Sequence, residues 1–291
     1  PALMEQIERA GVHSGDSLAL LPTRSVRPDV VRVIIDYASR ISWALRVRGF
    51  LNIQFVIWQG VPYVLEVNLR ASRTVPFVSK ATGTPLVRLA TEVMLGRSLA
   101  EFGYAGVTLL PAPARWAVKA PVFSSGKLFG ADPLLGPEMR STGEVMGTGP
   151  TPAAALRKAF IAAGFPPQLG RAMLLSIADR DKAEATEFAS AASKAGFELL
   201  ATPGTAAALA ARGIAAQIVG SQETVTLVRG RNIDVVVNTP THGWHSRRAG
   251  FAFRRAAAEL NVPMMTSLET ARAMLEAFAP ATSTDLVPLG S

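Results

Sequence analysis

The second half of the chain carries its hydrophobic positions in short, nearly continuous runs that alternate with stretches of helical length. Ala172–Ala178 has the pattern of a strand buried on both faces, where polar residues have no outward side to occupy. Further strands are expected at Phe197–Ala201, Ile214–Val219, Ile233–Asn238 and Pro263–Thr266. Between them, helices are expected at Asp181–Lys194, Thr205–Arg212, Ala249–Leu260 and Leu268–Phe278, with Gly196 and Gly213 placed to end the first two. Such alternation predicts a small parallel sheet with helices on both faces.

The first half reads differently. Leu3–Ala10 has helical texture, and Pro28–Val47 repeats apolar residues at Val30, Val31, Ile34, Ile35, Ala38, Ile41 and Leu45, near helical spacing. Two strand-like runs, Phe50–Trp58 and Tyr63–Asn68, flank Gln59-Gly60-Val61-Pro62, a hairpin signal with turn chemistry between the strands. Pro85–Leu95 is a further helix, and the Gly- and Pro-rich stretch to residue 150 is expected to wrap a domain surface. The change of texture places a domain boundary near residue 165, dividing the chain into 1–164 and 165–291.

Composition narrows the classes. A chain of 291 residues, 49% hydrophobic, can bury a substantial core in two domains. It has no cysteine, which excludes disulfides and thiolate metal sites. No apolar run approaches the roughly 20 residues of a membrane span, and the opening lacks a basic-then-apolar leader. A soluble, cytoplasmic protein with no membrane partner is expected. The net charge of +8 raises nucleic-acid binding, but the basic residues are scattered, with only short pairs such as Arg247-Arg248 and Arg254-Arg255. A phosphate-handling enzyme accounts for that surplus without a nucleic-acid partner.

Candidate chemistry concentrates on the hairpin. On a strand, Glu66, Asn68 and Arg70 share one face, while Leu65, Val67 and Leu69 take the opposite, buried one. With the turn near Gly60, Gln54 falls opposite Glu66, to within a residue. One carboxylate and two amides offer hard oxygen ligands suited to Mg²⁺, and Arg70 could steady charge on a transferring phosphoryl group. On pattern alone, a plain polar outer face on a two-stranded ribbon remains the alternative.

Longer strings sharpen this. Gly49-Phe50-Leu51-Asn52-Ile53-Gln54-Phe55, Leu65-Glu66-Val67-Asn68-Leu69-Arg70 with its continuation to Gly83, Ala10–Ser17, and the run from Asp132-Pro133-Leu134-Leu135-Gly136 to Gly147 closely resemble the second ATP-grasp domain of carbamoyl-phosphate synthase large subunits. The resemblance extends, more weakly, past residue 165 into that family's regulatory domain of methylglyoxal-synthase-like fold. It implies an α/β and α+β chain: a partial ATP-grasp domain, then a small doubly wound parallel-sheet domain. It also implies that Gln54, Glu66 and Asn68 ligate Mg²⁺ or Mn²⁺, with Gln54 and Glu66 also facing the nucleotide. Arg70 and Arg73 would hold the transferring phosphate, and Gly11, Val12, His13 and Ser14 would approach ATP. K⁺ is a further ion of the family. The implied reaction is phosphorylation of carbamate by MgATP to carbamoyl phosphate, for pyrimidine and arginine biosynthesis. Carbamate arises from bicarbonate and ammonia, the latter delivered by a glutaminase small subunit. Where the family usually has proline, Leu69 stands here.

By the same resemblance, the glycine-rich loop, phosphate-binding lysine and adenine pocket lie upstream of residue 1, so the isolated chain is expected to be inactive and to need that missing portion of the large subunit. Thr202, Thr205, Asn238 and Thr239 match segments that bind the phosphate of UMP or IMP, and Glu8, Asp16 and Thr266 match an ornithine site. Ser221 replaces a lysine, Ala120 an acid and Met264 an aromatic, so altered or lost regulation is expected. The aspartate motifs of methylglyoxal synthase chemistry are missing from residues 170–280. The competing readings are a non-catalytic nucleotide-binding or interaction module and a part of another ATP-grasp ligase.

Overall fold

The computed structural model describes residues 1–104, 106–124, 132–166, 170–240 and 249–279. The pair Arg247-Arg248 and the last residues of the chain lie outside them. Two compact units emerge, both discontinuous in sequence: residues 1–6 with 19–119, and residues 7–18 with 120–291. Residue 165 falls inside the second, in the segment before the parallel sheet.

In the first unit, strands β1 (Glu5–Gln6) and β2 (Ala19–Leu21) pair antiparallel, with Glu5 opposite Leu20. Helix α1 (Pro28–Ala44) begins with proline in its first turn, where a missing N–H costs nothing. Only Val30 and Ile34 of its expected apolar stripe are buried, and Leu45, expected inside the helix, caps it with 48% of its surface exposed. Strands β3 (Asn52–Trp58) and β4 (Val61–Asn68) form the hairpin, followed by α2 (Thr74–Thr82) and α3 (Leu86–Met94). Strand β5 (Trp116–Val122) pairs antiparallel with β2, Leu20 facing Val118.

Two expectations fail here. Leu3–Ala10 is not helical, because Glu5 and Gln6 are held in β1 and Glu5 accepts the backbone N–H groups of Arg24 (2.5 Å) and Ser25 (2.8 Å). A tertiary ladder overrides local propensity. The Gly- and Pro-rich stretch to residue 150 is not only a wrapping segment, since it contains β5 and the strand β6 (Gly143–Gly149).

In the second unit, β6 lies against helix α4 (Pro152–Ala162), which the hydrophobic pattern did not announce. The approach is close enough that glycine is required. A Cβ on Gly147 would strike Ala155 O and Ala159 N, and one on Gly149 would sit 2.7 Å from Ala155 N. Neither obstacle is a flexible side chain. Gly147→Ala is therefore expected to lower unfolding free energy by about 3 kcal/mol, the upper end for overpacking, read from urea denaturation. Gly143→Ala, whose Cβ would meet only Val122 Cβ at 4.0 Å, is the matched control and should cost far less.

The remaining elements are β7 (Ala172–Ser176), α5 (Lys182–Lys194), β8 (Glu198–Ala201), α6 (Pro203–Ala210), β9 (Gln217–Ile218), α7 (Ser221–Arg229), β10 (Val235–Asn238), α8 (Ala249–Glu259), β11 (Met264–Met265) and α9 (Leu268–Ala277). Every expected strand and helix after residue 170 is present, most of them a residue or two shorter; β9 keeps only Gln217 and Ile218 of the expected Ile214–Val219, α6 starts at Pro203 ahead of the expected Thr205, and α7 is an addition. The sheet is wholly parallel in the order β11-β10-β7-β8-β9. Leu174, Leu200, Val236 and Phe253 are among the residues of its core. Gly196, at φ +92°, supplies the left-handed residue after α5 that an L side chain would resist. On α5, burial pushes the Glu184 carboxyl up, but Arg9 (2.6 Å) and Arg272 (2.5 Å) outweigh it and hold the group below its ordinary value. The stability this pairing adds is present above the ordinary carboxylate range and is lost as pH falls through the lowered value.

Strand order runs outward from β7 through β8 to β9, then returns to β10 and β11 on the other side. The reversal lies between β7 and β10, and the crevice at their carboxyl ends is where open α/β sheets take ligands.

Candidate functional site

The hairpin pairs as the spacing required. Gln59 (φ +50°) and Gly60 (φ +80°) form a two-residue connection with both residues left-handed, the geometry that matches strand twist. Val61 and Pro62, read as part of the turn, belong to β4, which tolerates proline because both strands of a two-stranded sheet are edges. Gln54 faces Glu66, and Asn52 faces Asn68.

Glu66 is the centre of the arrangement. Its Oε2 accepts from Gln54 Nε2 at 2.9 Å and its Oε1 from Asn68 Nδ2 at 2.8 Å. The three side chains thus converge at the open end of the hairpin, leaving two amide oxygens and a carboxylate as hard donors. That donor set fits Mg²⁺ or Mn²⁺, which take oxygen ligands and retain water and phosphate oxygens as the others.

The strand-face expectation holds for Glu66 and Asn68 and fails beyond them. Register shifts between Gln54 and Phe55, so Phe55 faces Val64 and Leu65 is the extra residue of a bulge. β4 ends at Asn68, so Leu69 and Arg70 follow no strand alternation. Leu65 and Leu69 are 56% and 57% exposed rather than buried, and only Val67 is half-buried. Arg70 turns its Nη1 onto the neighbouring Ala71 carbonyl at 3.0 Å, still exposed. Arg73 occupies the N-cap position of α2 without a side-chain capping bond, and its neighbours Ser72 and Thr74 are joined to Asn52 by side-chain hydrogen bonds.

The stretch Gly11–Ser14 belongs to the second unit. His13 accepts the Gly15 N–H on Nδ1 at 3.0 Å and so caps the short 3-10 turn Ser14–Asp16, while its own N–H donates to Gly136 O at 2.8 Å. Its Nδ1 is committed to the backbone, which leaves Nε2 as the nitrogen able to meet a ligand. Asp16 is fully buried and accepts the N–H groups of Arg140 (2.7 Å) and Ser141 (2.9 Å). Glu8, also buried, accepts Leu18 N–H and the Thr270 hydroxyl, both at 2.8 Å. Thr266 follows β11 and is partly buried.

At the carboxyl edge of the parallel sheet, Thr205 Oγ1 accepts Ile177 N–H (3.0 Å) and lies 3.1 Å from Thr202 Oγ1. Thr239 Oγ1 accepts Ala178 N–H at 2.9 Å. Asn238 donates to Ser176 O (2.8 Å) and accepts from Arg254 Nη1 (2.7 Å). All four predicted positions therefore gather around the chain leaving β7.

Sequence comparison covers both units. The family described as carbamoyl-phosphate synthase L chain, ATP binding domain, matches residues 3–102, and the MGS-like domain family matches residues 184–266. The chain is 48% identical over 95% of its length to a carbamoyl phosphate synthase large chain of Thermomicrobium roseum, and 46% over 96% to one of a Thermoanaerobacter species. The chain belongs to the carbamoyl phosphate synthase large-chain family. It spans about a quarter of these relatives, 26% of each, matching their C-terminal portion. Among solved structures, a methylglyoxal synthase from Elizabethkingia anophelis NUHP1 aligns at TM-score 0.32, 20% identity, over 38% of this chain and 79% of its own. The biotin carboxylase domain of a single-chain bacterial carboxylase aligns at 0.40 and 20% identity, over 50% and 39%. Neither likeness is close enough to carry an argument.

Among the described residues of this large-chain family member, the most deeply buried ion pair has no signal in the sequence. Arg254 reaches Asp132 through Nε (2.8 Å to Oδ1) and Nη2 (2.5 Å to Oδ2), with side chains 9% and 4% exposed. In the sequence Arg254 is one of the scattered basic residues and Asp132 one residue of a longer string. The two are 122 positions apart, and no local signal joins them.

Proposed function

We propose that this chain contributes the distal part of the carbamate-phosphorylating site of a carbamoyl phosphate synthase, together with its regulatory domain. What carries the reading is the convergence of Gln54 and Asn68 on Glu66, within a chain so extensively identical to large chains. Glu66, Asn68 and Gln54 would hold Mg²⁺ or Mn²⁺, and Gln54 and Glu66 would also face ATP. Divalent ions there would neutralise charge between the nucleotide's terminal phosphates and the carbamate oxygen that attacks. Arg70, exposed at the end of β4, and Arg73, at the start of α2, would steady the phosphoryl oxygens during transfer. Gly11, Val12, Ser14 and the Nε2 side of His13 would line the nucleotide.

The remaining assignments follow the same reading. The upstream ATP-grasp portion of the large chain completes the site, and a glutaminase small subunit supplies ammonia. K⁺ accompanies the nucleotide, and the product feeds pyrimidine and arginine biosynthesis in the cytoplasm. Residues 1–164 act as the ATP-grasp part and 165–291 as the regulatory part. In the latter, Thr202, Thr205, Asn238 and Thr239 form an edge suited to a nucleotide phosphate. Glu8, committed to the Leu18 amide and the Thr270 hydroxyl, Asp16, committed to backbone amides, and Thr266, without an acid at Ala120, form a poor ornithine site.

The test is reconstitution. The 291-residue chain alone, with MgATP, bicarbonate and ammonia, should yield no carbamoyl phosphate, whereas joining it to the upstream portion of a large chain should restore synthesis. Turnover by the chain alone that disappears in Glu66→Ala would overturn the division of labour. A folded joined protein without synthesis would overturn the assignment.

A further inference from the structure

Arg254 is a buried cation at the very edge where the parallel sheet would receive an anion. Its guanidinium donates through Nη1 to Asn238 Oδ1 and, through Nε and Nη2, to both carboxylate oxygens of Asp132. Asn238 is tied back to β7 through Ser176 O, so the guanidinium is held at the carboxyl ends of β7 and β10. Beside it, Thr239 accepts the Ala178 N–H and keeps a hydroxyl proton to offer. A planar fork that holds a carboxylate in two bonds holds a phosphate monoester equally well.

Asp132 is an unusual occupant for that fork. It comes from the segment before β6, not from the sheet. Asp132 Oδ1 also accepts Leu134 N–H at 3.1 Å, and its carbonyl accepts from Arg140 Nη1. Arg140 and Ser141 in turn donate their N–H groups to Asp16, in the stretch that carries His13. One carboxylate therefore links the sheet edge to the backbone of residues 132–141.

We propose that Asp132 is a built-in anion that occupies Arg254, so that a phosphate-bearing ligand arriving at Asn238 and Thr239 competes with it and, on binding, releases residues 132–141. The device rests on reading that edge as a phosphate site. It adds a mechanism by which occupancy is reported to the Asp16 loop, and it predicts weak phosphate binding independently of the lysine that Ser221 replaces, because the Arg254 guanidinium is already filled.

The experiment uses the whole 291-residue chain and two probes, inorganic phosphate and uridine monophosphate. Asp132→Asn keeps the shape of the side chain and removes its charge, freeing the guanidinium. Calorimetry should then show phosphate binding at least about tenfold tighter than in the unaltered chain, and Asp132→Asn combined with Arg254→Met should lose that gain. If Asp132→Asn is unfolded in plain buffer, phosphate should refold it, seen as recovered near-ultraviolet dichroism. In the unaltered chain, a large excess of phosphate should speed amide hydrogen exchange at Leu134, Arg140 and Ser141.

The idea is overturned if folded Asp132→Asn binds phosphate no tighter, if an unfolded one is not rescued, or if phosphate leaves exchange at those amides unchanged or slower. The nucleotide reading of the edge fails separately. Phosphate captured by Asp132→Asn with uridine monophosphate bound by neither form would sink that reading alone. Equal binding of the nucleotide by both forms would sink the competition and leave the edge.

Discussion

Glu66→Gln in a complete large chain carrying this segment should reduce carbamoyl phosphate formation by about 10³-fold, by analogy with removal of a group that stabilises transition-state charge. The substitution preserves shape but replaces a carboxylate that accepts on both oxygens, from Gln54 and from Asn68, with a neutral amide. Three neighbouring amides then compete for orientation, and the only negative charge of the trio is gone. Because Glu66 is exposed on a two-stranded ribbon, its loss should shift stability by less than about 0.5 kcal/mol. The check is a steady-state assay of product against ATP, with thermal unfolding measured in parallel. Activity within twofold of the parent would remove Glu66 from the site. A parallel collapse of unfolding temperature would instead make it a structural residue.

Arg254→Leu should carry the largest stability effect, about 3–5 kcal/mol, the range for removing one member of a buried pair. It leaves the Asp132 carboxylate without its two guanidinium bonds and Asn238 Oδ1 without its Nη1 donor, at positions almost closed to water. Combining it with Asp132→Leu should recover a large part of the loss, since no uncompensated charge remains inside. Urea unfolding of the two single variants and the double variant measures the coupling. Losses that simply add would mean that the pair contributes little as a pair.

Legibility in the sequence followed the range of the interactions involved. Strand and helix after residue 170 were readable because burial on both sheet faces forces runs such as Met173–Leu175, and because Gly196 marks a helix end. The pairing of Gln54 with Glu66 was readable because a short connection leaves few registers. Its limits were also physical: a bulge at Leu65 and a strand end at Asn68 removed Leu65, Leu69 and Arg70 from the alternation on which their faces had been assigned. The segment Leu3–Ala10 looked helical because periodicity cannot see β2, which holds Glu5 and Gln6 in a ladder. Strand β6 was hidden because its glycines answer to the backbone of α4 rather than to hydrophobic patterning.

By itself, then, the sequence determined the parallel-sheet architecture of the second half, the hairpin that sets Gln54 and Asn68 beside Glu66, and membership of the large-chain family through long strings. Each of these depends on neighbours along the chain or on pattern over a short window. Only the tertiary structure decided which carboxylates are free to act and which are spent. Asp16 is consumed by backbone amides, Glu8 by one backbone amide and the Thr270 hydroxyl, and Asp132 is drawn across 122 positions onto Arg254. Desolvation makes such choices. A buried charge must find its partner wherever the fold brings one, and no local pattern records where that will be.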